Sequence, residues 1–123
     1  MSYKDLEIYN IAMNLFFRVH DLSLKLPKYE LYELGSQIRR SADSVVTNIA
    51  EGYGRNAYKT DFIKFLVYAH SSNDETISHI FKIQHLYPEH KVELQDLEQE
   101  YNKLGAKINK YIQYVSKNWN DRK

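Results

Sequence analysis

The sequence predicts an all-α fold, an antiparallel up-and-down four-helix bundle, and three observations support that prediction. The 123-residue chain contains only four Gly and two Pro, too few for the many turns of an all-β protein. Its apolar residues recur every three or four positions over four long segments, as they do along one face of a helix. The links between these segments are short, so consecutive helices must lie antiparallel. We therefore expect a single domain over residues 1–123.

The helix bounds follow from the apolar stripes and from the residues that interrupt them. The predicted spans are 4–26, 31–53, 56–87 or 60–87, and 89–117. The predicted inward positions are Leu6, Tyr9, Met13, Phe16 and Val19; Leu34, Ile38, Ala42, Val45, Ile49 and Tyr53; Phe62, Phe65, Leu66, Ala69, Asn73, Thr76 and Ile80; and Leu97, Tyr101, Leu104, Ile108, Tyr111 and Val115. We expect Gly52 and Gly54 to end the second helix through positive φ, and the Asn56 or Thr60 side chain to cap the third.

Composition limits the classes of function that the chain can serve. The absence of Cys excludes disulfides, thiolate metal sites and cysteine nucleophiles. Lys4, Asp5 and Glu7 lie where a signal peptide would need an apolar run, and no apolar stretch approaches the roughly 20 residues that span a bilayer. We therefore expect a cytoplasmic protein with no membrane partner. The net charge is +1, from 17 basic and 16 acidic side chains, so any nucleic-acid contact must come from a local patch.

No set of residues in the sequence predicts catalysis, a metal or a cofactor. A di-metal bundle needs Glu-x-x-His pairs, and the nearest approach here is Glu75 with His79, four residues apart, which predicts a modest surface contact. The segment Gly52–Gly54 follows a helix and lacks the Lys-Ser/Thr ending of a phosphate loop. No nucleophile lies in a G-x-S-x-G motif. The expected class is therefore a protein that is not an enzyme and holds no cofactor.

A polar edge accompanies the apolar stripe of the second predicted helix. Ser44, Asn48, Glu51 and Arg55 follow one another at helical spacing. This edge predicts either an interhelical hydrogen-bond network with a Glu51–Arg55 ion pair, or a ligand-binding surface. Both interpretations are compatible with the sequence.

Two adjacent guanidiniums, those of Arg39 and Arg40, lie near the start of the same helix. Such a pair can hold phosphates through forked donors, which predicts an RNA contact. If the second and third helices run antiparallel, however, equal rise on both sides brings the arginines level with Asp74 and Glu75. An interhelical ion pair is therefore an equally open prediction.

The fourth predicted helix carries a basic stripe with an aromatic residue within it. Lys103, Lys107, Lys110 and Lys117 share one face with Tyr114, a pattern typical of a surface that follows a nucleic-acid backbone. The same helix begins with several acidic residues, so its charges also complement the helix dipole without any ligand. The stripe is thus compatible with RNA binding or with helix stabilisation alone.

Tyrosine is abundant, with eleven copies, and they do not all fit inside a narrow bundle core. We expect some of five tyrosines to face outward: Tyr3, Tyr32, Tyr58, Tyr68 and Tyr114. Exposed amphipathic rings are enriched at protein interfaces. This pattern predicts self-association, although tyrosines scattered singly over the surface would give the same composition.

One segment of the second helix, SQIRRSADSVVTNIAEGYGR from Ser36 to Arg55, resembles the signature of the four-helix proteins encoded in bacterial 23S rRNA intervening sequences. The resemblance continues at six positions of the third helix: Phe62, Phe65, Leu66, Ala69, Ser72 and Glu75. The chain departs from the family pattern by Ser71-Ser72 in place of a Gly-Ser step, and by Asp43 and Thr47. The helix pattern agrees over nearly the whole chain.

This resemblance implies a bundle that assembles as a ring, a homopentamer, without a defined enzymatic activity. It also implies kinship with the accessory proteins of diversity-generating retroelements, whose similar pentamers are basic and bind nucleic acid with a reverse transcriptase. The +1 net charge matches those relatives less well, because phosphate neutralisation dominates non-specific affinity.

Two hypotheses of function follow from these patterns. The first is a homo-oligomer that binds structured RNA or a ribonucleoprotein through Arg39, Arg40, Arg55 and the Lys103–Lys117 face. The second is a protein–protein interaction scaffold that binds no nucleic acid and uses the aromatic surface and the polar edge.

Overall fold

The computed structural model describes residues 2–119, and every regular element in that range is helical. Its four long helices are α1 (Glu7–Ser23), α2 (Leu34–Gly54), α3 (Lys59–Leu86) and α4 (Lys91–Lys117). Short 3-10 turns precede three of them, at Tyr3–Asp5, Lys28–Tyr32 and Pro88–His90. The predicted all-α fold with four helices is confirmed.

Contacts between the helices show that they run in alternating directions. The contacts that establish this are Ser44–Ser72 and Ser41–Thr76 between α2 and α3, and Glu7–Lys107 and Arg18–Asp96 between α1 and α4. In each pair the residue number rises along one helix as it falls along the other, which defines an antiparallel arrangement. Neighbours in sequence are joined by short links, so the bundle is up-down-up-down.

The core is built from one buried stripe of each helix. The stripes comprise Ile8, Ala12, Leu15, Val19 and Leu22; Ile38, Ala42, Val45 and Ile49; Phe62, Leu66, Ala69, Ile80 and Ile83; and Leu94, Leu97, Tyr101, Leu104, Ile108 and Val115. Most of the positions predicted inward on α2, α3 and α4 are among them. Burial of this continuous apolar surface is the main force that holds the helices together.

The inward face predicted for α1 is correct at Leu6 and Val19, and between them it is wrong by about one residue, or about 100° of rotation. Ile8, Ala12 and Leu15 are buried, whereas Tyr9, Met13 and Phe16 are only half-buried and pack beside the core. Both sets are apolar and have helical spacing, so the sequence of α1 alone cannot choose between them. The choice is made by where α2 and α4 lie.

Helix bounds differ from the predictions where 3-10 turns intervene. Extended backbone at Leu6, with φ of −78° and ψ of 130°, separates the first turn from α1, which therefore begins at Glu7. The turn Lys28–Tyr32 likewise delays the start of α2 to Leu34. The predicted side-chain cap of α3 is also wrong, because its N-cap is Tyr58 and no side chain makes the capping hydrogen bond.

The two glycines at the end of α2 do not act through positive φ, contrary to the prediction. Over residues 2–119 no glycine adopts positive φ, and both Gly52 and Gly54 lie within the helix. A Cβ atom at position 52 would lie 3.1 Å from Phe65 Cβ and 3.3 Å from the Phe62 carbonyl oxygen. Glycine at 52 therefore allows α2 and α3 to approach closely, whereas position 54 has open space around it.

Within residues 2–119 no helix combines the length and the apolar character that crossing a bilayer requires.

Candidate nucleic-acid interface

The polar edge of α2 is turned toward α3 and is used in hydrogen bonds inside the bundle. Ser44 Oγ lies 2.8 Å from Ser72 Oγ, and Asn48 Nδ2 donates to the Ser44 carbonyl oxygen and to Ser44 Oγ, both at 2.9 Å. Further along, Thr76 Oγ1 lies 2.9 Å from Ser41 Oγ, a contact buried between the two helices. Ser44 thus forms an interhelical hydrogen bond of the kind that the sequence predicted for this edge, whereas the bonds of Asn48 stay within α2.

The guanidinium of Arg39 is also engaged within the fold. Its Nη1 donates to Ser23 Oγ at 2.9 Å and its Nη2 donates to the Leu31 carbonyl oxygen at 2.6 Å. These bonds tie the end of α1 and the following link to α2. Arg40 is exposed and makes no hydrogen bond or ion pair within residues 2–119.

The predicted ion pairs of these arginines with Asp74 and Glu75 are not formed. Asp74 Oδ2 instead lies 3.6 Å from His70 Nδ1, and Glu75 Oε2 lies 4.0 Å from His79 Nε2. The i,i+4 contact expected between Glu75 and His79 is thus present, but the imidazole of His79 is buried rather than on the surface.

Arg55 follows the end of α2 and has two partners. It forms the predicted ion pair with Glu51, and its guanidinium carbon lies 4.5 Å from the centroid of the Phe65 ring. A guanidinium over an aromatic face is attracted by the negative potential of the ring. Both contacts hold Arg55 against the junction of α2 and α3.

The lysines of α4 differ from one another in their surroundings. Lys103 Nζ lies 3.6 Å from Glu100 on the same helix, and Lys107 Nζ donates to Glu7 Oε1 of α1 at 2.9 Å. Lys110 and Lys117 are exposed and have no hydrogen bond or ion pair within residues 2–119. The structure therefore leaves two of the four predicted cations without a protein partner in that range.

A groove of about 390 Å³ runs between the start of α1 and the last turns of α4. Its lining consists of Leu6, Glu7, Ile8, Lys107, Lys110, Tyr111 and Tyr114. The lining is mainly apolar and aromatic, with charge supplied by the Glu7–Lys107 pair and by Lys110. A volume of this size accommodates a small organic group.

Aromatic contacts support the ring that is most exposed in this groove. The rings of Tyr111 and Tyr114 are stacked, with centroids 6.2 Å apart and planes inclined by 19°. Tyr111 in turn contacts the buried ring of Phe62, at a centroid distance of 6.1 Å. Tyr114 is 51% exposed, so its ring is both supported from below and accessible to solvent.

Sequence reasoning identified only part of this groove. Lys107, Lys110 and Tyr114 were singled out in the basic stripe, whereas Tyr111 was assigned to the core and Glu7 to no site. The up-down order of the helices could have identified the rest of the groove, because it places the first turn of α1 beside the last turns of α4. An acid at the start of α1 opposite an uninterrupted lysine stripe would have indicated the Glu7–Lys107 pair.

Two more ion pairs outside the groove connect α4 with α1 and with the link that follows α1. Arg18 Nη2 lies 2.6 Å from Asp96 Oδ2, and Lys25 Nζ lies 3.4 Å from Glu93 Oε2. These side chains are about half exposed, so each pair contributes little to stability, about 0–1 kcal/mol. Their acids, Glu93 and Asp96, lie in the first half of α4, whereas the lysines of the basic stripe lie in its second half.

Metal and acid–base chemistry were sought among the titratable groups. Within residues 2–119 no group of three His, Asp or Glu side chains is placed to hold a metal ion. His79 is buried, and burial is the main reason that the pKa of its imidazole lies below the ordinary value of 6.5; the Lys82 ammonium lowers it further and Glu75 opposes the shift. A buried neutral histidine of this kind acts in packing.

The family model of the 23S rRNA-intervening sequence protein matches residues 4–110. The chain belongs to this family. Comparison with curated proteins finds no match. The matched range includes the whole α2 signature and three of the basic-stripe lysines, Lys103, Lys107 and Lys110, and it ends before Tyr114 and Lys117. The family signature thus coincides with the α2–α3 hydrogen-bond network, and the groove lies partly outside the match.

Proposed function

We propose that the chain is a cytoplasmic, non-enzymatic, homo-oligomeric protein whose single-domain subunits bind RNA, free or within a ribonucleoprotein. The contact surface is the basic face, defined as Lys103, Lys107, Lys110, Tyr114 and Lys117. One observation carries the proposal: the 17 residues from Tyr101 to Lys117 contain four Lys and no Asp or Glu. This segment of α4 therefore has charges of one sign along its own sequence, and two of its four lysines, Lys103 and Lys107, pair with Glu100 and Glu7.

The geometry of α4 suits this role. At 3.6 residues per turn, the five positions of the basic face fall within about a quarter of a turn and extend over roughly 20 Å of helix. Lys110 and Lys117 are exposed and unpaired within residues 2–119, so they can neutralise phosphates without first breaking an ion pair. The exposed ring of Tyr114 lies among them and offers a surface for stacking.

The arginines that the sequence also suggested have a smaller part in the proposal. Arg39 and Arg55 are held by contacts inside the bundle, and a phosphate would have to compete with those contacts. Arg40 is free of such contacts but lies on α2, apart from the basic face. We therefore assign the phosphate contacts to α4.

A salt titration of RNA binding tests the proposal. Fluorescence anisotropy with a labelled RNA at several salt concentrations gives the affinity and the slope of log K against log salt. Lys110→Glu combined with Lys117→Glu is expected to weaken binding about tenfold or more and to reduce the slope by about 0.7 for each lost contact to a single strand. The matched control is Lys82→Glu with Lys91→Glu, which reverses two exposed charges at the far end of the bundle.

The outcomes separate the alternatives. Equal loss in both double variants would assign the effect to net charge and contradict a contact at the basic face. Absence of binding at low salt would remove the RNA proposal altogether and leave the second candidate, a protein-interaction scaffold.

Exposed apolar side chains favour oligomerisation and keep the scaffold candidate open. Phe17 on α1, Phe81 on α3 and Val92 on α4 are 55%, 69% and 83% exposed, respectively. Large apolar groups in contact with water mark a surface that another chain covers where they form a contiguous patch, whereas single ones are also normal on monomers. We propose a homopentamer, as in the resemblance, and multi-angle light scattering should give about five times the 14.7 kDa of one chain. A monomeric mass would contradict the ring.

A further inference from the structure

The groove between α1 and α4 has two chemically different parts. Its interior is lined by Leu6, Ile8, Tyr111 and Tyr114, and it holds the Glu7–Lys107 pair, whose charges offset each other. Lys110 and Lys117 lie on the same face of α4, and neither has an acidic partner within residues 2–119. The interior thus suits a flat, neutral group, and the adjoining face suits an anion.

We propose that this groove binds an unpaired nucleobase of a single-stranded RNA segment, with the base stacked on Tyr114 and the flanking phosphates on Lys110 and Lys117. The inference rests on the proposed function and deepens it, because it specifies single strands rather than duplexes. A nucleotide is the occupant that combines a flat apolar ring with a negative charge at a distance of a few ångströms.

Charge decides which part of the nucleotide enters the groove. The Glu7 carboxylate lines the interior and already bonds to Lys107, so a phosphate placed there would face a like charge. A neutral base meets no such repulsion. Lys110, which also lines the groove, and Lys117, which lies beyond its lining, have no carboxylate in contact within residues 2–119 and attract the backbone.

Pairing state decides which form of RNA can use the site. Bases in a duplex are stacked on their neighbours, and the deep major groove of A-form RNA keeps their edges from side chains. The Tyr114 ring can therefore reach a base face only where the strand is unpaired, in a loop, a bulge or a free end. Its stacking on Tyr111, which itself contacts Phe62, orders the ring before binding and reduces the entropy lost when a base stacks on it.

The test compares two probes on the same protein by fluorescence anisotropy at one salt concentration. The probes are a labelled oligouridylate, which stays unpaired, and a labelled blunt RNA duplex of equal length. The variants are Tyr114→Leu, which removes the ring, Tyr114→Phe, which keeps it, and Tyr68→Leu, which removes a comparably exposed ring from α3. Circular dichroism and thermal unfolding check that each variant keeps its fold.

The expected result is that Tyr114→Leu weakens binding of the oligouridylate about tenfold and leaves duplex binding unchanged. Tyr114→Phe and Tyr68→Leu should retain the affinity of the parent protein for both probes. Tighter binding of the duplex, or equal loss for both probes in Tyr114→Leu, would overturn the inference while leaving RNA binding by the basic face in place. Failure of the parent protein to bind either probe would overturn both proposals together.

Discussion

The interface between α2 and α3 and the interface between α1 and α4 use polar residues in opposite ways. Between α2 and α3, short hydroxyl side chains bond to one another, as in Ser44–Ser72 and Ser41–Thr76. Between α1 and α4, long charged side chains reach across the outer edge, as in Arg18–Asp96. The first interface uses its polar groups in hydrogen bonds between the helices, whereas beside the second Lys110 and Lys117 have no partner within residues 2–119.

Side-chain size explains the difference. At Gly52 the backbones of α2 and α3 come so close that a Cβ atom would lie 3.1 Å from Phe65 Cβ. The α1–α4 interface is wide enough at one end for a groove of about 390 Å³. Helices that lie close together need small residues between them. Helices that lie farther apart need long side chains to bridge the gap. The hydroxyl groups of Ser41 and Ser44 in the family signature therefore act in packing, and for this reason we assign the proposed RNA contact to α4.

The largest expected effect tests how closely α2 and α3 pack. Gly52→Leu should destabilise the protein by about 3 kcal/mol, because the new side chain must displace Phe65 and the Phe62 backbone. Gly54→Leu is the matched control, with no heavy atom within 4 Å of its Cβ position, and should change the unfolding free energy by less than about 0.5 kcal/mol. Urea unfolding measures both. Similar effects of the two variants would contradict the close approach.

A smaller effect tests the hydrogen bonds of the same interface. Thr76→Val keeps the shape of the side chain and removes its hydroxyl, so Ser41 Oγ loses its partner from α3. We expect a loss of about 1 kcal/mol in the free energy of unfolding, from one buried hydrogen bond. Thr47→Val is the control, since Thr47 is exposed and bonds only to the carbonyl oxygen of Asp43 on its own helix. An unchanged stability in Thr76→Val would mean that the network does not hold the helices together.

The pH dependence of stability tests the same face of α3 through His79, which lies one turn beyond Thr76. Burial lowers the pKa of this imidazole in the folded protein relative to 6.5, so the folded state favours the neutral form. The stability that this provides is complete above pH 6.5 and is lost as the pH falls through the lowered pKa, because the unfolded chain then binds the proton more readily. One proton gives a slope of at most about 1.4 kcal/mol per pH unit.

The measurement compares the parent protein with His79→Gln, which cannot titrate at this position. Urea unfolding between pH 7.5 and 5.5 should show a steeper loss of stability in the parent protein than in the variant. The other histidines are common to both proteins, so the difference isolates His79. Parallel profiles would show that the imidazole can be charged without cost and is not enclosed as the structure shows.

The two interfaces also differ in how far the sequence predicts them. The α2 stripe and the Glu51–Arg55 pair could be predicted because they depend only on spacing along one helix. The inward face of α1 could not, since Ile8 and Tyr9 begin two apolar rows of equal quality. The sequence did not predict the role of Gly52, because the close approach of two helices, unlike a turn, has no local sequence pattern.

The groove itself depends on the distance between α1 and α4, which is set by the packing of the whole core. The sequence placed Lys107 and Tyr114 on one face of α4, and only the fold adds Glu7 and Tyr111 to them. The spacing of residues along one helix does not predict such contacts between helices that are distant in sequence.

The smallest expected effect concerns Glu7, whose carboxylate accepts a hydrogen bond from Lys107 and would compete with RNA for it in the proposed complex. Glu7→Gln keeps the size of the side chain and removes its charge, so Lys107 becomes available to a phosphate and the groove becomes less repulsive. We expect binding of the oligouridylate to tighten about twofold, or about 0.4 kcal/mol. Glu89→Gln, an exposed position in the turn before α4, removes the same charge at the far end of the bundle and should have no effect. A weaker affinity in Glu7→Gln would instead mean that the carboxylate positions Lys107 for the ligand, because an unpaired lysine loses its fixed orientation along with its competitor.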